Sequence, residues 1–320
     1  MDGTAAADAG GVDQRPGEIP FPLIANRLND GKVVPFLGAG ASSSGVPDGP
    51  RRLPRGKELA KELIAELNSY QLDSYPGEAS DALTKVTQYW VDCPLGRLEL
   101  YERLRKRFYE DQRGADLNVT VQFLAEVPTI PCIVTTNYDE HIEEAFRRIN
   151  RDFVVLTHET VPRHVVATVY VTTSAGERSE VPSSEFLLSD YKNTTIIYKM
   201  HGTVTPPPED GLDTIVITED DYVNFLAVAH TAPLPPHALI ALFARCRFLF
   251  LGYSLEDWNF RVILRRLTDE GHRGRTMLNK HWAVRRDPSS IERLFWNTRN
   301  VWLFDAPLEY FVEKMREALK

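Results

Sequence analysis

The chain contains little cysteine, and its cysteines are not paired in sequence. The three thiols, Cys93, Cys132 and Cys246, lie far apart, and none belongs to a C-x-x-C motif. A structural zinc site built on four thiolates is therefore excluded. Cys132 and Cys246 each lie within an apolar run, so we predict that both are small core residues. A catalytic thiol remains an alternative that nothing around them favours.

Long apolar runs and an excess of positive charge are also missing. No segment is long enough to span a bilayer, and the net charge is −8, with 37 basic and 45 acidic residues interspersed. We therefore expect no membrane insertion and no broad nucleic-acid-binding surface. Residues 1–18 are rich in Ala, Gly and Asp and lack the basic start and apolar core of a signal peptide. They are predicted to form a disordered tail on a cytoplasmic protein.

From residue 19 onward, apolar β-branched runs alternate with amphipathic segments of helical period. This alternation predicts an α/β fold of the Rossmann-like kind, a mainly parallel sheet with helices on both faces. Residues 56–125 contain almost no strand signal, and Leu59, Leu63 and Leu67 recur at one-turn spacing. We expect one domain over residues 19–320 with this segment as an inserted helical subdomain. Residues 174–184 are predicted to be a polar loop.

Four short motifs each follow a predicted buried strand, and the first is rich in glycine. Glycine lets the backbone turn sharply and approach a phosphate closely, and the N–H groups of the next turn can donate to an anion. Ser43 stands where the dehydrogenase G-x-G-x-x-G fingerprint has its third glycine, so the pattern is a variant. A tight turn without a ligand is the alternative. The motif comprises Gly38, Ala39, Gly40, Ala41 and Ser42.

The second and third motifs supply polar side chains at strand ends. Asn137 follows one strand and can orient a water or a ribose hydroxyl, because an amide both donates and accepts. Asp139 can bind a ribose hydroxyl or cap the following helix. His201 follows another strand, and imidazole titrates near neutral pH, which suits a general base. A lone histidine is more often structural, and His141, within a predicted helix, lacks the strand-end context of His201.

The fourth motif, Gly252-Tyr253-Ser254, follows the apolar strand predicted at residues 247–251. Gly252 allows close backbone approach, and the Ser254 hydroxyl can bond to a ribose or a phosphate. In parallel sheets, ligands bind beyond the carboxyl ends of the strands. All four motifs are therefore expected to face one nucleotide-binding crevice.

In this order the motifs resemble those of the sirtuin-like domains of bacterial antiphage defence proteins, over roughly residues 33–267. The resemblance implies that NAD is bound, with its diphosphate on the first motif. It places Asn137 and Asp139 near the nicotinamide ribose and makes His201 the essential histidine. It also assigns Gly252 and Ser254 to the nucleotide, and it implies that Asn137 and His201 are the catalytic pair.

One departure from the protein-deacylating sirtuins separates the chain from them. Those enzymes carry a zinc ribbon with two cysteine pairs after the histidine, whereas no cysteine lies between His201 and Cys246 here. The resemblance is thus to zinc-free members that hydrolyse NAD without a metal. Two alternatives stay open, a zinc-free NAD-dependent deacylase and a module that senses NAD or ADP-ribose without turnover.

A toxic NAD hydrolase must be restrained in a healthy cell. We therefore expect control by homo-oligomerisation, by a partner protein such as an ATPase, or by both. The chain itself has no G-x-x-x-x-G-K-[ST] motif, the signature of a nucleotide-driven motor.

Overall fold

A computed structural model describes residues 18–49, 51–69, 75–158, 167–205, 214–231, 235–253 and 281–320. Strand β1 spans Val33–Leu37, and the strands that follow in the described chain are β2 Cys132–Thr135, β3 Phe153–His158, β4 Thr168–Thr173, β5 Arg178–Pro182, β6 Thr195–Lys199, β7 Arg247–Leu251, β8 His281–Arg285 and β9 Val301–Asp305. They form one sheet in the order β5-β4-β3-β6-β2-β1-β7-β8-β9.

The sheet is parallel except at one end. All pairs from β3 through β9 along the sheet are parallel, whereas β4 pairs antiparallel with both β3 and β5. The central strands β1, β2 and β6 are buried along their whole length. Burial on both faces explains why these strands are almost continuously apolar rather than alternating.

Helices cover both faces of the sheet. One face packs against helices α1 Phe21–Asn29, α6 Val119–Glu126, α7 His141–Arg148 and α11 Leu308–Ala318. The other face packs against helices α8 Glu219–Thr231, α9 His237–Phe243 and α10 Ser290–Asn297. The predicted α/β class, with a mainly parallel sheet and helices on both faces, is confirmed.

The chain between β1 and β2 is helical where the structure describes it. A short helix, α2 Ala39–Ser43, follows β1 directly, and α3 Gly56–Ser69, α4 Leu83–Asp92 and α5 Gly96–Phe108 precede α6. Helices α3 to α5 share an apolar cluster that also contains Tyr138 and Val204. The Tyr101 hydroxyl donates to Val204 O at 2.7 Å, and Phe108 meets Tyr138 edge to face. The inserted helices therefore pack against the segments that follow β2 and β6.

One predicted loop is wrong. Residues 174–184 contain β5, an exposed strand at the end of the sheet that pairs with β4. Its residues Arg178, Ser179 and Glu180 are polar because this edge strand faces solvent, so the apolar alternation typical of a strand is missing. Residues 1–17 of the predicted tail lie outside the described residues, and so do residues 256–270, where the sequence predicts a helix after β7. The division into a tail and one domain stays a prediction.

Candidate functional site

The four motifs begin at the same level of the sheet. Leu37 is paired with Thr135 on one side and with Leu251 on the other, and Thr135 is paired with Lys199. These four residues end the adjacent strands β6, β2, β1 and β7. The motifs therefore leave the sheet side by side, across three strand spacings or roughly 14 Å. The register thus places the four strand ends at one level, and that the motifs face one nucleotide-binding crevice stays a prediction.

The two glycine motifs pack directly against each other. Gly40 N–H donates to Gly252 O at 3.0 Å, and Gly38 N–H donates to Leu251 O at 3.2 Å. A Cβ atom on Gly40 would lie 2.6 Å from Gly252 O, and one on Gly38 would lie 2.7 Å from the same oxygen. Gly252 has a φ of +59°, and a Cβ atom added there would lie 2.3 Å from Ala41 N. Glycine is thus required here by contact between two backbone segments, with or without a ligand.

These contacts bear on how a diphosphate would be held. The N–H groups of Gly40 and Ala41 already donate within the protein, to Gly252 O and Gly38 O. Their hydrogens are not directed at a ligand, so a diphosphate has to be bound by other groups of the motif. Binding of the nucleotide by Gly38, Ala39, Gly40, Ala41 and Ser42 stays a prediction.

The amide of Asn137 is oriented by two acceptors. Its Nδ2 donates to Gly38 O at 3.0 Å and to Ser42 Oγ at 2.8 Å, which uses both hydrogens. A backbone carbonyl only accepts, so Nδ2 must be the atom that faces Gly38. The backbone N–H of Asn137 donates to Thr135 Oγ1. The half-buried amide therefore has Oδ1 as its remaining polar atom, an acceptor for a hydroxyl or a water.

Asp139 is buried and serves two protein donors. Ser42 Oγ donates to Asp139 Oδ2 at 2.9 Å, and the backbone N–H of His141 donates to Oδ1 at 3.0 Å. The second bond stabilises the start of α7, as the capping alternative predicts. The first extends the bond from Asn137, so that Asn137, Ser42 and Asp139 form one chain of hydrogen bonds. A role of Asp139 towards ribose stays a prediction.

His201 is buried at the end of β6. Only 4% of its surface is exposed, and its ring meets that of Tyr222 edge to face at 5.4 Å. Gly202, which follows it, has a φ of +76°, and a Cβ there would lie 1.8 Å from Thr214 O. The glycine of this motif is therefore needed for a close backbone contact. Because β6 pairs with β2, the segment after β6, with His201, leaves the sheet beside the segment after β2, with Asn137.

Two residues near the site gave no signal as functional residues in the sequence. Asn118 donates from Nδ2 to Ala41 O and Ser42 O, while its Oδ1 accepts from the first turn of α6. His141 is 7% exposed, and its Nδ1 lies 4.0 Å from Asp139 Oδ1. An asparagine before a helical segment is a recognisable cap signal, but its contact with α2 is a long-range one.

Burial affects the two cysteines in or beside the core, Cys132 and Cys246. Burial raises the pKa of the Cys132 thiol well above its usual range and that of Cys246 to about 11. Both remain protonated at neutral pH, and a thiol rather than a thiolate is a poor nucleophile. Cys132 is a core residue as predicted, whereas Cys246 is partly exposed at the core margin.

One predicted site residue lies outside the described residues, and two structural features are absent within them. Ser254 lies outside them, so its assignment to the nucleotide stays a prediction. Within the described ranges, no group of three potential metal ligands comes together. Among the same residues, no helix has the length and apolarity needed to cross a bilayer.

Comparison with known proteins identifies relatives of most of the chain. The NAD(+) hydrolase ThsA of Acinetobacter baumannii is 30% identical over 254 residues, which are 78% of this chain and 42% of that protein. ThsA of Cytobacillus dafuensis is 28% identical over 78% of this chain and 41% of its own length. Defense-associated sirtuin 2 of Bacillus subtilis is 24% identical over 78% of this chain and 24% of its own length. The chain thus spans less than half the length of these relatives.

A family model matches the part of the chain that contains three of the four motifs. The SIR2-like domain matches residues 131–304, which begin just before β2 and end within β9. The match includes the strands that precede Asn137, His201 and Gly252, and the first glycine motif lies outside it. Because it extends over more than half of the chain, this protein belongs to the SIR2-like domain family.

Proposed function

We propose that this chain is an NAD glycohydrolase, which cleaves the nicotinamide–ribose bond to give nicotinamide and ADP-ribose. The observation that carries the proposal is the common level of four strand ends, with Asn137 and His201 each two residues beyond the end of one of two adjacent strands in a SIR2-like chain. The relatives named NAD(+) hydrolase support the choice of substrate and reaction. The relative named defense-associated sirtuin supports a role in antiphage defence, through depletion of NAD.

The reaction demands little covalent chemistry from the protein. Nicotinamide leaves as a neutral group from a cationic ring and takes the electron pair of the broken bond. Water then bonds to the ribose carbon and loses a proton. The enzyme has to hold the ribose, limit the access of water and stabilise an oxocarbenium-like transition state.

Two side chains have the chemistry for these tasks. Asn137 Oδ1 accepts a hydrogen bond from the attacking water or from a ribose hydroxyl, because its Nδ2 is held by Gly38 O and Ser42 Oγ. His201 accepts a proton from that water or hydroxyl as a general base. The first glycine motif, Asp139, Gly252 and Ser254 would hold the nucleotide. No metal takes part in this scheme.

The test is release of nicotinamide from NAD by the purified chain. We expect His201→Ala and Asn137→Ala to lower the rate at least about 100-fold, the scale of general acid–base and positioning effects. His237→Ala, at an exposed histidine of α9, is the matched control and should leave the rate unchanged. Chromatography of the same reactions identifies the ribose product as ADP-ribose or a cyclic form.

The other outcomes distinguish the alternatives. Tight binding of NAD without release of nicotinamide, with or without a trigger, favours a sensing module. Turnover that requires an acyl-lysine peptide and yields an acyl-ribose product favours a zinc-free deacylase. Release that survives His201→Ala would remove the proposed base.

We also propose that the protein acts in the cytoplasm, where NAD is abundant, and that assembly restrains it. Self-association or a partner such as an ATPase would hold the enzyme inactive until a trigger is sensed. Sedimentation measured beside specific activity over a range of concentrations tests this idea. A monomer with full activity at every concentration, and no effect of added lysate, would contradict it.

A further inference from the structure

Lys199 is a buried ammonium group that the proposed chemistry does not use. It ends β6, two residues before His201, and its side chain is 0% exposed. Transfer of an ammonium group from water to the protein interior is unfavourable unless its hydrogens find acceptors and its charge finds a partner. The contacts of this group therefore indicate what it is for.

All three recorded acceptors of Lys199 Nζ belong to the segment that follows β2. Nζ donates to Asp139 O at 2.5 Å, to Tyr138 O at 3.4 Å and to Glu143 Oε1 at 2.9 Å. Glu143 is itself 2% exposed and lies in the first turn of α7. The ammonium thus ties the end of β6 to the turn between β2 and α7.

That turn carries the side chains of the proposed site. The carbonyl of Asp139 is held by Lys199, and its carboxylate accepts from Ser42 Oγ, which in turn accepts from Asn137. These hydrogen bonds, joined through Asp139, therefore link the last residue of β6, two residues before His201, to the amide of Asn137. A change in the position of Lys199 would be transmitted along it.

We propose that Lys199, with Glu143 as its counter-ion, is a positioning residue that sets the placement of Asn137 and Asp139 relative to His201. The inference rests on the proposed function for its effect on turnover. Its structural part, that Lys199 orders the turn after β2, stands on the contacts alone.

A purely structural role makes a different prediction. A buried ion pair contributes little to stability on balance, and its replacement by apolar side chains is often neutral or stabilising. Removal of one partner alone leaves an uncompensated buried charge and is strongly destabilising. The double variant Lys199→Met/Glu143→Leu therefore removes the pair and gives the chain a good chance to remain folded.

Ile197→Ala is the matched control. Ile197 lies two residues earlier on the same face of β6, is 0% exposed, and has no hydrogen bond from its side chain to the turn. The substitution leaves a cavity beside the same strand, so it measures the effect of lost packing alone on stability and turnover.

Three measurements on the two variants decide the proposal. For the double variant we expect kcat for nicotinamide release to fall about 10- to 100-fold, the scale of a displacement of about 1 Å in reacting groups. KM should change less than about threefold, because ground-state contacts remain. The backbone amides of Asn137 and His141 should exchange with solvent at least about tenfold faster. Ile197→Ala should lose stability and keep kcat and the exchange of these amides.

The outcomes separate this inference from the proposed function. A folded double variant with unchanged amide exchange and a kcat within about twofold of wild type would overturn the positioning role. If wild-type protein binds NAD but releases no nicotinamide with or without a trigger, the proposed function fails, and the exchange of the two amides still decides whether Lys199 orders the turn. If the double variant does not fold, Lys199→Met/Glu143→Gln, which also removes both charges and keeps a side chain of nearly the same shape at position 143, replaces it in all three measurements.

Discussion

Ser42 is the residue on which the polar contacts of the candidate site converge. Its hydroxyl accepts from Asn137 Nδ2 and donates to Asp139 Oδ2, and its backbone carbonyl accepts from Asn118. A hydroxyl can do this because it has one hydrogen and two lone pairs. The sequence motif identifies Ser42 only as the last residue of a glycine-rich turn. Its hydrogen-bond partners after β2 and at the start of α6 lie more than 70 positions away in the sequence.

We predict that Ser42→Ala lowers both stability and turnover. The buried carboxylate of Asp139 loses a donor and Asn137 loses an acceptor, which should reduce the free energy of unfolding by about 1–3 kcal/mol. Urea denaturation measures this change, and nicotinamide release measures the effect on turnover.

The neighbouring residue supplies the control for that prediction. Ser43 is as buried as Ser42, and its hydroxyl accepts a longer bond, 3.3 Å, from Arg55. Ser43→Ala should therefore reduce the free energy of unfolding by no more than about 1 kcal/mol. Equal losses in the free energy of unfolding for the two variants would show that the hydrogen bonds of Ser42 to Asn137 and Asp139 add no stability beyond that of an ordinary buried serine.

At the scale of the elements, the ends of β1 and β7 depend on one glycine contact. Gly252 combines a φ of +59° with a Cβ position 2.3 Å from Ala41 N. Gly96, at the start of α5, has a φ of +72° and open space around its Cβ position. A side chain at either position would adopt the unfavourable left-handed backbone conformation, but only one at Gly252 would also clash with a neighbouring segment.

We predict that Gly96→Ala costs about 1–2 kcal/mol in the free energy of unfolding, since only the left-handed backbone is penalised. Gly252→Ala should cost clearly more, because the added methyl group also forces the first glycine motif away from β7. Thermal and urea unfolding of both variants measure the difference. Similar losses would mean that the two motifs separate without strain.

The buried strands were predicted from their apolar sequence, whereas the solvent-exposed strand β5 was missed. Strands β1, β2, β6 and β7 are largely apolar and buried, and a buried strand was predicted before each of the four motifs. Strand β5 is polar, and its pairing with β4 is what makes it a strand. Backbone pairing with a neighbour leaves no trace in local hydrophobicity, so no reading of residues 178–182 by themselves identifies it.

At the scale of the whole molecule, buried histidines link stability to pH. Burial, with a smaller effect of His201, lowers the pKa of His158 to about 3. Burial, with a smaller effect of Arg247, lowers the pKa of His281 to about 4. Both are neutral in the folded protein at neutral pH, whereas in the unfolded chain histidine titrates near pH 6.5.

The sign of the pH dependence follows from proton uptake. Between about pH 6.5 and pH 4 the unfolded chain binds protons at these two positions and the folded protein does not. Their contribution to stability is present in full above pH 6.5 and is lost as the pH falls through this window. Each histidine contributes a slope of about 1.4 kcal/mol per pH unit once fully protonated in the unfolded chain.

We predict that His158→Phe removes one of these two slopes. The ring at this position packs against Tyr198 and Phe225, so a phenyl ring suits its surroundings. Urea unfolding between pH 4.5 and about pH 8 should show a shallower loss of stability than in wild type. His237→Ala, at an exposed histidine, should leave the slope unchanged; an identical slope for His158→Phe would contradict the prediction.

The sequence by itself determined the α/β class, the central strands, the helical segment after β1 and the presence of four polar or glycine-rich strand ends. These follow from local patterns, because the period of apolar residues and the residues that favour turns can be recognised in short stretches of sequence. Only the tertiary structure decided that the four ends lie at one level, that Gly38 and Gly40 contact Gly252, and that Lys199 holds the turn after Tyr138. Register and buried polar contacts join residues distant in the chain, so the folded sheet alone specifies them.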